Sequence, residues 1–364
     1  MKKLLALLLA LVMVLSFAAC SGNDEPVVDE NNSEETSSEE QSNTEDPAPV
    51  AETYKLGMGI VVSTKSSKEA QAQVDATVAV VVTDSEGKIV KCELDCAQTK
   101  LAVADGLVPE DFSTVDVRSK QEKKEDYGMQ GVSAIGAEWY TQADAFAAAV
   151  VGMTADDVAA LELVESNGHN VLADETLHAS CSMDVTAFKA AIAKACADEY
   201  AKEFTADSFT LGLGVNTSVA SSKSAAADAN GVAALYTNFA AAVVAEDGTL
   251  VATLLDVIQP KVEFDATGAI VTVSADYDAA FRTKKELKED YGMKGVSAIG
   301  LEWMEQATNF EDAVVGMTSA DITGIETVES NGHNVAADET LHASCSMDIT
   351  EFQATLAKAF ANAR

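Results

Sequence analysis

The residues best equipped for chemistry lie in one short stretch that occurs twice. Asn167, His169, Asp174, Thr176, His178, Ser180, Cys181 and Ser182 fall between Glu165 and Asp184. The same types return between Glu329 and Asp348 as Asn331, His333, Asp338, Thr340, His342, Ser344, Cys345 and Ser346. All 4 histidines of the chain belong to these two stretches. Two imidazoles and a thiol form a donor set suited to zinc or copper, but their spacing matches no finger or metalloprotease pattern. Ser180, His178 and Asp174 are the residue types of an acyl-transfer triad, yet neighbours on one short loop rarely reach triad geometry. No GxSxG, HExxH or Walker-type loop is present, so little speaks for a hydrolase or a nucleotide enzyme.

These stretches belong to a long internal repeat, which points to tandem domains and not to a solenoid. YGMQGVSAIG at Tyr127 to Gly136 returns as YGMKGVSAIG at Tyr291 to Gly300, an offset of 164 residues, and ESNGHNV and ADETLHASCSMD recur unchanged at the same offset. LGMG at Leu56 to Gly59 is answered more loosely by LGLG at Leu211 to Gly214. In each copy a valine-rich or alanine-rich run, a polar turn and an alternating run predict a hairpin: Val74 to Val82, Asp84 to Gly87 and Val90 onward, then Ala242 to Ala245, Glu246 to Gly248 and Leu250 to Val257. Trp139, Ala143, Phe146 and Val150 share a helical face, as do Trp303, Ala307, Phe310 and Val314, with Gly152 and Gly316 ending the helices. Thr154 and Thr318 predict N-caps of short helices, and a last helix follows from about Val185 to Tyr200 and from Ile349 to the end. Strands followed by helices in each copy imply an α+β fold, with copies at 53–205 and 206–364.

Cysteine chemistry common to both copies is confined to Cys181 and Cys345. Cys92 and Cys96 are matched by Thr253 and Val257, and Cys196 has no counterpart, so these three read as small buried side chains.

The amino terminus carries a different message. Lys2 and Lys3 precede an apolar run from Leu4 to Ala19 that is short for a membrane span and ends directly before Cys20, the pattern of a signal peptide over residues 1–20. Leu15 to Cys20 resembles a bacterial lipobox, which implies a diacylglyceryl group on the Cys20 sulfur and anchoring at the outer face of the cytoplasmic membrane. Residues 21–52 contain no Lys or Arg and many Glu, Asp, Ser and Asn, and read as a disordered, self-repelling tether. A formal net charge of −35 opposes nucleic acid and anionic lipid surfaces as partners.

Asp174-Glu175-Thr176-Leu177-His178-Ala179-Ser180, repeated from Asp338 to Ser344, resembles the attachment site of the FMN-binding family, where an acid precedes an acceptor Ser or Thr. Asp174, Ala179 and Ser180 match, while Leu177 and His178 stand where that site has a hydroxyl residue and a glycine. Lipobox, acidic linker, repeated domains and the Ala-Ser-Cys-Ser run before a final helix are together similar to surface flavolipoproteins of Gram-positive extracellular electron transfer. The resemblance implies covalent FMN, two per chain, on Ser180 and Ser344, with Asp174 and Asp338 as the motif acids. His178 and His342 depart from the motif, so Thr176 (and Thr340) or Ser182 are alternative acceptors. It further implies an FMN transferase, a membrane electron donor linked to NADH or quinone and an extracellular acceptor as partners, and a chain that is itself no enzyme. Tyr127, Tyr291, Trp139 and Trp303 would give the flavin an apolar wall, or serve only as core. The alternative is a tethered protein that binds a small solute, a metal, haem or a partner protein.

Overall fold

The repeated valines and alanines of the two hairpins form strands that are buried on both faces. A computed structural model describes residues 52–272 and 281–364; Cys20, the leader and all of the acidic run before residue 52 lie outside them. In the first half β1 (Thr53–Ser63), β2 (Gln71–Thr83) and β3 (Ile89–Ala102) are followed by α1 (Lys120–Lys123), α2 (Trp139–Ala149), α3 (Ala155–Ala160), the hairpin β4 (Leu163–Ser166) and β5 (His169–Leu172), α4 (Glu175–Ser180), α5 (Thr186–Cys196) and β6 (Lys202–Thr205). The second half has β7 (Thr210–Ser218), β8 (Gly231–Ala234), β9 (Tyr236–Val244), β10 (Leu250–Ile258) and β11 (Lys261–Phe264). It continues with α6 (Lys284–Leu287), α7 (Trp303–Ala313), α8 (Ser319–Thr323), β12 (Thr327–Ser330), β13 (His333–Ala336), α9 (Glu339–Ser344) and α10 (Thr350–Ala361). The fold is α+β, with antiparallel sheets ordered β3-β2-β1-β6 and β10-β9-β7.

Alternation along the central strands assigns their two faces. Val78, Val80 and Val82 of β2 join Phe239, Ala241 and Val243 of β9 in one core between the sheets. Ala79 and Val81 face α2 and α5 instead, and Ala240, Ala242 and Val244 face α7 and α10. The order of layers is helices, sheet, sheet, helices. The halves therefore share a core inside one compact unit, Val50–Arg364.

Among the ion pairs between the halves, two are related by the sequence repeat. Lys194 of α5 meets Glu286 of α6 at 2.5 Å, and the equivalent Lys358 of α10 meets Glu122 of α1 at 2.7 Å. Arg364 forks onto Glu93 and Asp144 of the first half at 2.7 and 2.6 Å. The Lys194–Glu286 and Lys358–Glu122 pair is reciprocal, as in an isologous dimer interface, here within one chain, whereas the Arg364 fork has no counterpart.

β3 and β10 each bury a carboxylate, Asp95 and Asp256. Each carboxylate accepts the backbone N–H of the residue after it and one from a short helix, Gln121 N at 3.0 Å and Lys285 N at 3.2 Å. Burial pushes both carboxyls up to about 6 from an ordinary 3.8, against hydroxyl bonds from Ser119 and Thr283. A carboxyl whose value is raised on folding holds its proton better in the folded state, so stability rises as pH falls through 6 and the gain is complete below about 4. The free energy of unfolding from urea titration is therefore expected to be larger at pH 5.5 than at pH 7.5, by on the order of 2 kcal/mol from the pair. Asp95→Asn with Asp256→Asn is expected to flatten that difference.

Candidate functional site

The twofold His-rich stretch is not a loop. Asn167 and Gly168, both with positive φ, turn β4 into β5, and Asn331 and Gly332 do the same for β12 and β13. Asp174 then caps α4, its Oδ1 accepting Thr176 N and Leu177 N at 2.9 Å, and Asp338 caps α9 by accepting Leu341 N at 2.9 Å. The motif acid thus has a structural task in both halves, satisfying the first N–H groups of a helix.

α4 and α9 scatter the candidate residues over different surroundings. Ser180 Oγ donates to Leu177 O at 2.9 Å and Ser344 Oγ to Leu341 O at 3.1 Å. The histidine Nδ1 atoms of His178 and His342 are buried without a partner among the described residues. Among the described residues neither serine hydroxyl is hydrogen-bonded to a histidine. Burial pushes the Cys181 and Cys345 thiols up to about 11, which disfavours thiolate chemistry. Among the described residues no group of three His, Cys, Asp or Glu is placed to hold a metal ion. Cys92, Cys96, Cys181, Cys196 and Cys345 are free thiols.

A buried glutamine assembles what the sequence left apart. Gln142 of α2 is fully enclosed; its Nε2 donates to Ser133 Oγ at 3.0 Å and Ala137 O at 2.9 Å, and its Oε1 accepts Ser182 N at 2.9 Å. Gln306 repeats every one of these bonds with Ser297, Leu301 and Ser346. Glu138 and Glu302 accept Met129 N and Met293 N at 2.8 Å, holding the same loop from its other side. These side chains tie the YGM loop to the Ala-Ser-Cys-Ser segment. Their recurrence in EWYTQ and EWMEQ was the available sign of their importance.

In the second half the tied segments enclose a cavity of about 590 Å³. Lys284, Tyr291, Trp303, His333, His342 and Ser346 line it, and Val296, 85% exposed, stands at its mouth. The three repeated blocks thus meet around one space. Lys284 Nζ lies 4.9 Å from the Tyr291 ring centroid and 5.2 Å from that of Trp303. Lys120 repeats this over Tyr127 and Trp139 at 4.9 and 5.3 Å. Burial prevails at Lys284, against Asp256, and lowers it to about 8. At Lys120 burial works the same way, but Cys96, Tyr127 and Asp75 outweigh it and hold the ammonium above the usual lysine range.

The chain matches no family model, no curated protein and no solved structure.

Ser344 does not open into this cavity. With Asp338, Thr340 and Leu341 it lines a separate hollow of about 710 Å³ beside α8 and β12. Ser346, the counterpart of the alternative acceptor Ser182, shares the cavity with Tyr291 and Trp303, and its Oγ donates to Gln306 Oε1 at 3.2 Å. Trp303, 3% exposed, also packs edge-on against Phe352 at 5.9 Å, so it serves the core and the cavity together.

Proposed function

We propose that this chain is a tethered carrier whose halves each hold a small ligand, and that the ligand is covalently attached FMN, which makes the protein an extracellular electron carrier anchored through Cys20. The observation that carries the ligand seat is the convergence of three repeated sequence blocks on one pocket with a lysine, a tyrosine and a tryptophan. Two features support the reading: Ser180 is an exposed hydroxyl bound only to a local carbonyl, open to a transferase, and in the second half Tyr291 and Trp303 would give a flavin an aromatic wall, in a pocket distinct from the hollow that Ser344 lines. FMN, once attached, supplies reversible electron uptake; the side chains supply orientation and shelter. Covalent attachment outside the cell prevents loss by dilution, and a tether raises the local concentration of redox partners.

The test is the intact mass of the protein produced with an active FMN transferase. Two FMN groups per chain, each joined with loss of water, are expected, and Ser180→Ala with Ser344→Ala is expected to remove both while changing stability by less than about 0.5 kcal/mol. If flavin persists in that variant, Ser182 and Ser346 become the acceptors to replace. An unmodified mass beside a modified control protein would end the covalent reading.

A second reading draws on one observation, that Ser344 and the aromatic wall lie in different cavities. In it the pocket binds a small solute reversibly and needs no ester bond.

A further inference from the structure

We propose that Cys92 of β3 and Cys196 of α5 are an oxidisable pair whose disulfide closes the first half around its copy of the candidate site. Neither the pocket nor the flavin enters into it.

Helix and sheet geometry bring the two thiols together. Gly57, Val81 and Cys92 are cross-strand partners in one row over β1, β2 and β3, and all three face the helices. A Cβ on Gly57 would stand 2.0 Å from Ala195 O, so the last turn of α5 sits on that row. Lys194 donates to Ile60 O at the outer edge of β1, and residue 196 lies about 200° around the helix from residue 194, so Cys196 faces the other way, toward β2 and β3. Lys189, on the same flank as Cys196, donates to Leu161 O beyond α3, and the turn before α3 is itself bonded to β3 through Gly152 N and Ile89 O at 2.7 Å. Cys196 accordingly packs against the cluster that contains Cys92, and its field reaches the Cys92 thiol. A disulfide needs Cα atoms within about 7 Å. Cys196 is the last residue of α5, where fraying lets the backbone adjust.

Other thiols do not compete. Cys96 stands four residues along the same strand, about 13 Å from Cys92, and the fields acting on Cys181 and Cys345 include no thiol. The second half has Thr253 and Phe360 at the two positions, so the cysteines are present together or absent together.

Both are free thiols in the structure, and a small disulfide is the oxidant the step requires. Cys92 is 8% exposed and Cys196 half-buried, so the oxidant meets Cys196 first. The Cys196 thiol loses its proton to solvent, its sulfur attacks the oxidant's S–S bond, and one thiolate leaves. Cys92, deprotonated in turn, displaces the second thiolate from Cys196, and the two released thiolates take up the two protons. Two protein thiols thus become one disulfide as one small disulfide becomes two thiols. Burial raises both protein thiols, so exchange is favoured at mildly alkaline pH. The closed loop contains Trp139, Gln142, His169, His178 and Ser182, so the bond restrains the unfolded chain across the whole first site.

The test exposes the folded protein to glutathione disulfide at mildly alkaline pH, then denatures it for thiol counting, intact mass and peptide mapping. Loss of the Cys92 and Cys196 thiols, no glutathione retained on either and a Cys92–Cys196 cross-linked peptide are expected. Cys92→Ser should keep one glutathione on Cys196, and Cys196→Ser should leave Cys92 unmodified over the same time. The oxidised protein should also unfold at a higher urea concentration than its reduced form. A wild-type chain that keeps both thiols, or that holds glutathione on Cys196 although Cys92 is present, overturns the bond, as does a cross-link from either to another cysteine.

Discussion

Residues 53–205, produced without the second half, are expected to show no cooperative unfolding transition in urea by circular dichroism. Separate production presumes two self-sufficient domains, and the sequence repeat by itself suggests that. The shared core argues otherwise. Leu211, Leu213, Val215, Phe239, Val243, Leu254, Ile258, Val262 and Phe264 all come from the second half and cover the inner face of β1, β2 and β3. Burying one such side chain contributes roughly 1.5–3 kcal/mol, so uncovering the opposing face forfeits on the order of 15 kcal/mol. That matches or exceeds the roughly 5–15 kcal/mol that holds an ordinary domain folded. Mixing residues 53–205 with 206–364 should restore the transition, helped by the Lys194–Glu286 and Lys358–Glu122 pairs. A folded monomer of the first half alone would sink the shared-core account.

What the sequence disclosed, and what it hid, follows from how far each signal reaches. The hairpins, the helix carrying Trp139 and Phe146, and the Thr154 and Thr318 caps were legible because each depends on residues within one or two turns of one another. Both caps are present as reciprocal bonds with Asp157 and Asp321. The apolar runs of β2 and β9 were read as hairpin strands and are buried on both faces, yet a strand does not encode which partner covers it. The common core therefore stayed out of sight. β4 and β5 escaped because they are four residues long and mostly exposed, with Asn-Gly as their one strong mark. α4 has no apolar periodicity to reveal it; its evidence was Asp174, a capping residue that reads equally well as part of an attachment motif. In the candidate site, the histidines and serines stood out by type. Gln142 and Lys120 did not, because an enclosed glutamine and a lysine over two rings acquire their meaning only when distant segments are brought together.

Gly59→Ala combined with Gly214→Ala is expected to lower stability by about 6 kcal/mol or more, enough to unfold many domains at room temperature. The LGMG and LGLG pairs are the loosely repeated feature that the fold explains best. On β1, Leu56, Met58 and Ile60 point into the shared core, which turns Gly57 and Gly59 toward α5. A Cβ on Gly59 would stand 2.1 Å from Ala191 O and 2.4 Å from Ala195 N, and one on Gly214 would stand 2.1 Å from Thr355 O. These are backbone atoms of a helix, which no rotamer change can move aside, so α5 and α10 would have to lift off their sheets. Lifting would also break the bonds by which the helices close the open strand edges: Lys194 Nζ to Ile60 O and Lys358 Nζ to Val215 O, both 2.8 Å. Each substitution thus combines overpacking with lost helix contacts, about 3 kcal/mol apiece at the upper end of the overpacking range. Gly131→Ala provides the control, because nothing lies within 4 Å of a Cβ there and the change should stay within about 0.5 kcal/mol. Urea midpoints of the three proteins decide the matter. If Gly59→Ala unfolds at the same urea concentration as Gly131→Ala, the helices do not rest on the glycines, and the close approach of helix to strand that seats both copies of the site must be given up.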